Sequence, residues 1–186
     1  MGKLVKKKNE VWEWTRALLI AAGIAAIIRF FLFSPIVVDG SSMVPTLQSG
    51  ERMIMNKISY HFKEPDRFDI IVFHAPGNKD YIKRVIGLPG DEIKYQNDVL
   101  YINGEAYEEP YLDEYKAMFE GNNYTEDFTL EGVMSENTVP EGHVFVLGDN
   151  RPVSQDSRTI GPIKMEDVVG STNIVFWPFN DVRYVK

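Results

Sequence analysis

Cysteine is absent from the 186-residue chain. That excludes a disulfide framework, a thiolate metal site and a thiol nucleophile. Histidine is scarce, with His61, His74 and His143 standing apart from one another. The chain has no HExxH pair for zinc and no G-x-S-x-G elbow around its paired serines Ser41 and Ser42, so neither metal nor cofactor is expected. Positive charge is thin over most of the length. Residues 1–16 hold Lys3, Lys6, Lys7, Lys8 and Arg16 against Glu10 and Glu13, a net of +3, so the rest carries −10 of the overall −7. Phosphate neutralisation needs clustered Lys and Arg on the body, so nucleic acid is excluded as a partner. Repeats and low-complexity tracts are missing too. With 44% hydrophobic and 25% charged residues, the composition is that of one compact globular domain.

Long apolar runs are also lacking. "ALLIAAGIAAII", residues 17–28, falls short of the roughly 20 residues a membrane-spanning helix wants. A cleaved export signal has the same basic start and short apolar heart. Here, however, Arg29 and the bulky Phe30, Phe31, Leu32 and Phe33 follow, with no small-x-small cleavage site. The long stem of Arg29 can carry its charge to the headgroups and extend the span. Trp12 and Trp14 suit the interface, and the lysines before them favour the cytoplasmic side. This reading makes residues 1–16 a basic cytoplasmic N-terminus, 17–33 an uncleaved single-pass transmembrane anchor, and 34–186 an extracytoplasmic domain in contact with the lipid bilayer.

After the anchor, short β-type runs recur between turn signals: 35–39, 52–58, 69–75, 81–87, 92–96, 99–104, 143–149 and 167–178. Glycine-containing turns at 89–91 and 103–105 separate some of them. The fold class is mostly β, with no long helical period after residue 33. The acidic, tyrosine-rich stretch at 105–136 breaks the rhythm and reads as an inserted loop or minor subdomain.

What the chain does have is chemistry in three places. "VDGSSMVPTL", 38–47, presents two hydroxyls between an apolar run and a turn. A serine nucleophile needs a proton acceptor, and the isolated histidines do not point to one. Lysine serves when burial removes it from water and lowers its pKa from about 10.4. In "YIKRVIGLPGD", 81–91, strand alternation puts Lys83 on the face of Tyr81 and Val85 and sends Arg84 to the other face. If the first face is the core face, Lys83 becomes a neutral amine near neutral pH. Otherwise it is a solvated lysine, and both readings stay open on periodicity. "GDNRPVSQDSR", 148–158, follows an apolar strand with more acidic, amide, hydroxyl and guanidinium groups than a turn requires.

These stretches, with "RFDIIVF" at 67–73, resemble in order and spacing the bacterial type I signal peptidases, membrane-anchored serine-lysine endopeptidases, and among them the small Gram-positive members. The resemblance implies a signal-peptidase/LexA-like complex β fold of antiparallel sheets with one N-terminal transmembrane helix. It implies that Ser42 is the nucleophile and Lys83 the general base. Ser154 would orient the lysine amine, Asp156 and Arg158 would support it, and Arg84 and Asp149 would form a salt bridge. The substrates would be secretory preproteins, cut after small residues by a monomer with its catalytic domain outside the cell membrane. Ile36, Val38, Met43, Leu47, Tyr81 and Ile82 would wall the pockets. Phe68 departs from the family's usual glycine there, which predicts a shifted local turn, and Gly40 lacks the hydroxyl that some relatives direct at the oxyanion. Phe176, Trp177 and Phe179 would be a surface dipping into the bilayer, or else a final core strand. Two rivals remain: an anchored peptide-binding or assembly domain without catalysis, and a self-cleaving serine-lysine protein of the repressor type. The hydrophobic start and the acidic body count against the second.

Overall fold

The computed structural model describes residues 10–27, 33–57, 63–77 and 79–185. It opens with helix α1, Glu10–Ile27, which begins inside the stretch expected to be a basic tail. No helix among the described residues is long and apolar enough to cross a membrane. The reason is visible in α1, whose first turns carry Glu10, Glu13 and Arg16. The expected anchor continued through residues 28–32, which lie outside the described residues. Its last residue, Phe33, instead starts the first strand.

Among the described residues twelve strands follow, and every pairing between them is antiparallel. They are β1 Phe33–Val37, β2 Arg52–Asn56, β3 Ile70–Ala75, β4 Lys79–Gly87, β5 Ile93–Gln96, β6 Val99–Ile102, β7 Glu105–Tyr107, β8 Phe128–Thr129, β9 His143–Leu147, β10 Ile163–Lys164, β11 Val168–Trp177 and β12 Arg183–Tyr184. Short helices α2 (Asp113–Met118), α3 (Leu130–Met134) and α4 (Ser157–Ile160) interrupt them. The large sheet runs β1-β2-β11-β3-β4-β9-β10, with β12 beside β11, and the small sheet runs β7-β6-β5-β8.

The centre of the large sheet is apolar on both sides, as a strand covered on two faces must be. Ile71 and Phe73 of β3 join Val85, Val144 and Val146 in one cluster. Ile70 turns the other way, to Val38, Met43, Leu47, Met53, Val175 and Val185. A third cluster, of Ile86, Ile93, Tyr95, Leu100, Ile102, Phe145 and Leu147, welds the small sheet to the ends of β4 and β9. Each such fully buried aliphatic or aromatic side chain stabilises the fold by about 1.5–3 kcal/mol.

The stretch 105–136 is not a free loop. Its first residues form β7 on β6, and Phe128 and Thr129 form β8 on β5, so it supplies both edges of the small sheet. Leu112, Tyr124 and Leu130 within it are buried. Phe68 adopts φ 70°, so a bulky residue takes up a left-handed turn conformation that favours glycine. Its amide still donates to Val85 O at 2.7 Å, continuing the β3–β4 ladder.

Candidate active site

Gly40, at φ 92°, turns the chain out of the β1 extension and into a compact turn. Val44 N donates to Ser41 O at 3.2 Å and Leu47 N to Met43 O at 2.9 Å. Buried Met43 and Leu47 pin this turn to the core. The two serines part company here, because Ser41 faces solvent while Ser42 is half-buried. Lys83 Nζ lies 2.7 Å from Ser42 Oγ and 3.1 Å from Ile82 O.

Lys83 sits mid-strand opposite Ile71 and is 3% exposed. Of the two open readings of its face, the structure realises the core one. Burial lowers its pKa to about 8, against the opposing fields of Asp156 and Asp149. A neutral amine in contact with a hydroxyl is an arrangement for general-base activation of an oxygen nucleophile. The histidines are engaged elsewhere: His74 with Asp80 at 2.7 Å and His143 with Glu141 O at 2.9 Å. His61 lies outside the described residues.

The loop after β9 surrounds this pair. Gly148 passes so close that a Cβ there would overlap Ser154 Oγ and Ser42 O. Asp149 accepts from Arg84 Nε at 2.9 Å and Nη2 at 2.6 Å, with both side chains fully buried. Thr46 Oγ1 donates to the same carboxylate at 2.5 Å. Arg84 lies 3.8 Å from the centre of the Tyr111 ring. Asp156 accepts from Gly148 N at 3.0 Å and from Arg158 Nε and Nη2 at 2.9 Å each. It also caps α4, which fixes the far end of the loop.

Ser154 Oγ is buried and meets no hydrogen-bond partner among the described residues. The bond to Lys83 that the resemblance implies is therefore not made here. Sequence reasoning missed Asn150, which donates from its backbone N–H to Ser42 O at 3.0 Å and from Nδ2 to Ser41 O at 3.1 Å. It also missed Arg151, buried against Glu109 at 2.5 Å and donating to Tyr95, which ties the loop to the small sheet. An amide and a second arginine in so polar a loop were the available signals.

A cleft of about 330 Å³ opens over the pair. Val38, Met43, Tyr81 and Ile82 line it as expected, joined by Val153 and Gln155 from the loop. Ile36 and Leu47 do not line it. Leu47 is fully buried in the core, and Ile36 packs on the same cluster, because alternation and the turn aim both inward. Trp177 and Phe179 are exposed, in edge contact with ring centres 4.7 Å apart, while Phe176 is half-buried on β11, a strand inside the large sheet that sends Val175 into the core.

An antiparallel β scaffold that holds a hydroxyl against a buried amine defines a nucleophile-and-base site. The family described as signal peptidase, peptidase S26, matches residues 11–177, and the chain belongs to that family. It is 48% identical to a signal peptidase I of Bacillus caldolyticus over 99% of each chain. It is 40% identical to a signal peptidase IB of Staphylococcus aureus (strain MRSA252) over 95% of each. The crystal structure of a signal peptidase I from Enterococcus faecalis V583 is 50% identical with a TM-score of 0.56, covering 59% of this chain and 97% of that one.

Proposed function

We propose that this protein is a serine endopeptidase that removes signal peptides from exported precursors, with Ser42 as nucleophile and Lys83 as base. The observation that carries the assignment is the 2.7 Å contact of Ser42 Oγ with an amine whose pKa is about 8. Neutral Lys83 takes the Ser42 proton as Oγ attacks the scissile carbonyl carbon. The oxyanion accepts a hydrogen bond from the Ser42 backbone N–H, which makes none among the described residues. Collapse breaks the C–N bond, the Lys83 ammonium returns the proton to the departing amine, and an ester on Ser42 remains. Water then gives a proton to Lys83 while attacking the ester, and Ser42 Oγ leaves with that proton restored.

The signal peptide lies extended in the cleft between the β1 extension and β4, adding main-chain hydrogen bonds as an extra strand does. Val38, Met43, Tyr81 and Ile82 leave shallow apolar room there, which suits small side chains near the cut bond. Asp156 and Arg158 hold the loop behind the amine, Ser154 stands close enough there to orient it once its hydroxyl turns, and Arg84 with Asp149 locks β4 to the loop. The apolar stretch that begins at residue 17 and ends ahead of β1 anchors the protein in the cell membrane with the β domain outside, and exposed Trp177 and Phe179 rest in the bilayer interface. One chain supplies every group, so the monomer is sufficient.

The test is incubation of the detergent-solubilised protein with an unprocessed secretory precursor. Wild type trims it, while Ser42→Ala and Lys83→Ala each leave it whole, because groups acting as a unit fail together. Trimming at the wild-type rate by either variant would refute the assignment.

A further inference from the structure

A second cavity, of about 450 Å³, lies where the large sheet meets the segment between β7 and α2. It shares no lining residue with the cleft over Ser42, and the proposed reaction uses none of it. Its walls are Phe68, Ile70, Pro110, Tyr111, Tyr184 and Val185, with Arg67, Asp69 and Glu108 among its polar groups. The volume falls within the range of small-ligand sites.

Two features make it more than a packing gap. Phe68 holds its ring in this wall although φ is 70°, a conformation disfavoured for a bulky residue and one that persists where its surroundings fix it. The rings of Tyr107 and Tyr111, 6.4 and 6.1 Å away, hold it in place. Polar pairing is also uneven. Arg67 is engaged by Asp91 at 2.9 Å and Ile86 O at 2.8 Å, and Asp69 accepts from Asp66 N at 3.0 Å. The Glu108 side chain is exposed and takes part in no hydrogen bond or ion pair among the described residues. Aromatic walls beneath an uncompensated carboxylate at the rim suit an apolar ring that carries a cation.

We propose that this cavity binds a small amphipathic amine, with its ring packed against the wall that Phe68 and Tyr111 form together and its ammonium at Glu108. Tyr111 would then contact the ligand on one side and Arg84 on the other.

The test titrates tryptamine, and separately indole-3-propionate, into the full-length protein in detergent with its isoleucine and valine methyls labelled for NMR. Tryptamine should produce saturable shifts at Ile70 and Val185 that Ile82 and Val153 of the cleft do not share. Phe68→Gly suits the φ of that position while removing the ring, and should weaken tryptamine about fivefold. Glu108→Gln should lower the preference for tryptamine over indole-3-propionate about threefold, as removal of an exposed charge does. Silence at Ile70 and Val185, shifts of equal size at Ile82 and Val153, or unchanged affinity in Phe68→Gly overturns the site. An undiminished preference in Glu108→Gln overturns the ammonium assignment. None of these readouts depends on precursor cleavage.

Discussion

The proton state of Lys83 makes a quantitative demand on the reaction. An ordinary lysine amine titrates at 10.5, and burial brings this one to about 8. At pH 7 an ordinary lysine is neutral in about three molecules per ten thousand, whereas a group titrating near 8 is neutral in about one in ten. The single-turnover rate of precursor cleavage should therefore climb about tenfold between pH 7 and pH 9 and level off above that. Stability follows with a definite sign. Between about pH 8 and 10.5 the unfolded chain binds a proton at this position that the folded chain has lost, so stability rises with pH across that window. The gap corresponds to about 3 kcal/mol, at 1.36 kcal/mol per unit. Chemical denaturation of wild type and of Lys83→Met at pH 7.5 and pH 10.5 isolates it, because wild type should gain on the variant by up to that amount. A rate profile flat from pH 6 to 9, or one with its midpoint at the ordinary lysine value, would refute the claim that a buried amine takes the proton.

Three further outcomes are expected. Arg84→Met strands the Asp149 carboxylate in the interior and should cost about 3–5 kcal/mol in denaturation experiments; a loss below about 1 kcal/mol would show water reaching the pair. Asn150→Ala removes the bond to Ser41 O, worth about 0.5–1.5 kcal/mol. It should lower kcat about fivefold with KM held, and an equal rise in KM would place the effect on binding instead. Ser154→Ala deletes a buried hydroxyl without a partner and should leave Tm unchanged or raised. Its kcat, measured alongside, should fall if the hydroxyl swings to Lys83 during turnover, and a lowered Tm would contradict the unpartnered state.

The strands of four residues or more, including β5 and β6 at the centre of the small sheet, could be read from the chain, and the edges of the small sheet could not. Strands β2, β3, β4, β9 and β11 have four or more alternating or continuously apolar residues between turn signals, enough for period two to stand out. The strands β8, β10 and β12 are two residues long. Such pairs carry no period, and only the surrounding core decides them. The 105–136 stretch reads in sequence as an inserted loop or minor subdomain, without its strands, because its acidic residues crowd the exposed side, while the buried Leu112, Tyr124 and Leu130 are spaced too irregularly to signal a face. Contacts such as Arg151 to Glu109 join residues 42 positions apart, and no local pattern records them. Leu47 was misplaced for a related reason, since an apolar residue beside a nucleophile looks the same in sequence whether it faces substrate or core.

The loop 148–158 explains why so many polar groups are gathered at one place. It grips three separate pieces: the Ser42 turn through Asn150, strand β4 through Asp149 and Arg84, and the small sheet through Arg151 and Glu109. A hydroxyl and an amine held 2.7 Å apart on different elements need such a brace, because the unpaired partners would otherwise drift with their own strands. The brace also sets chemistry. Asp156 and Asp149 raise the lysine pKa while burial lowers it more, and under the proposed mechanism the balance near 8 leaves the amine able to accept a proton in one half of the cycle and return it in the other. Stronger burial without those carboxylates would give a more fully neutral amine but a weaker base toward the serine hydroxyl. Matching the base to working pH is where general catalysis is most effective, so the charges that hold the loop together are the same ones that keep its lysine useful in both directions.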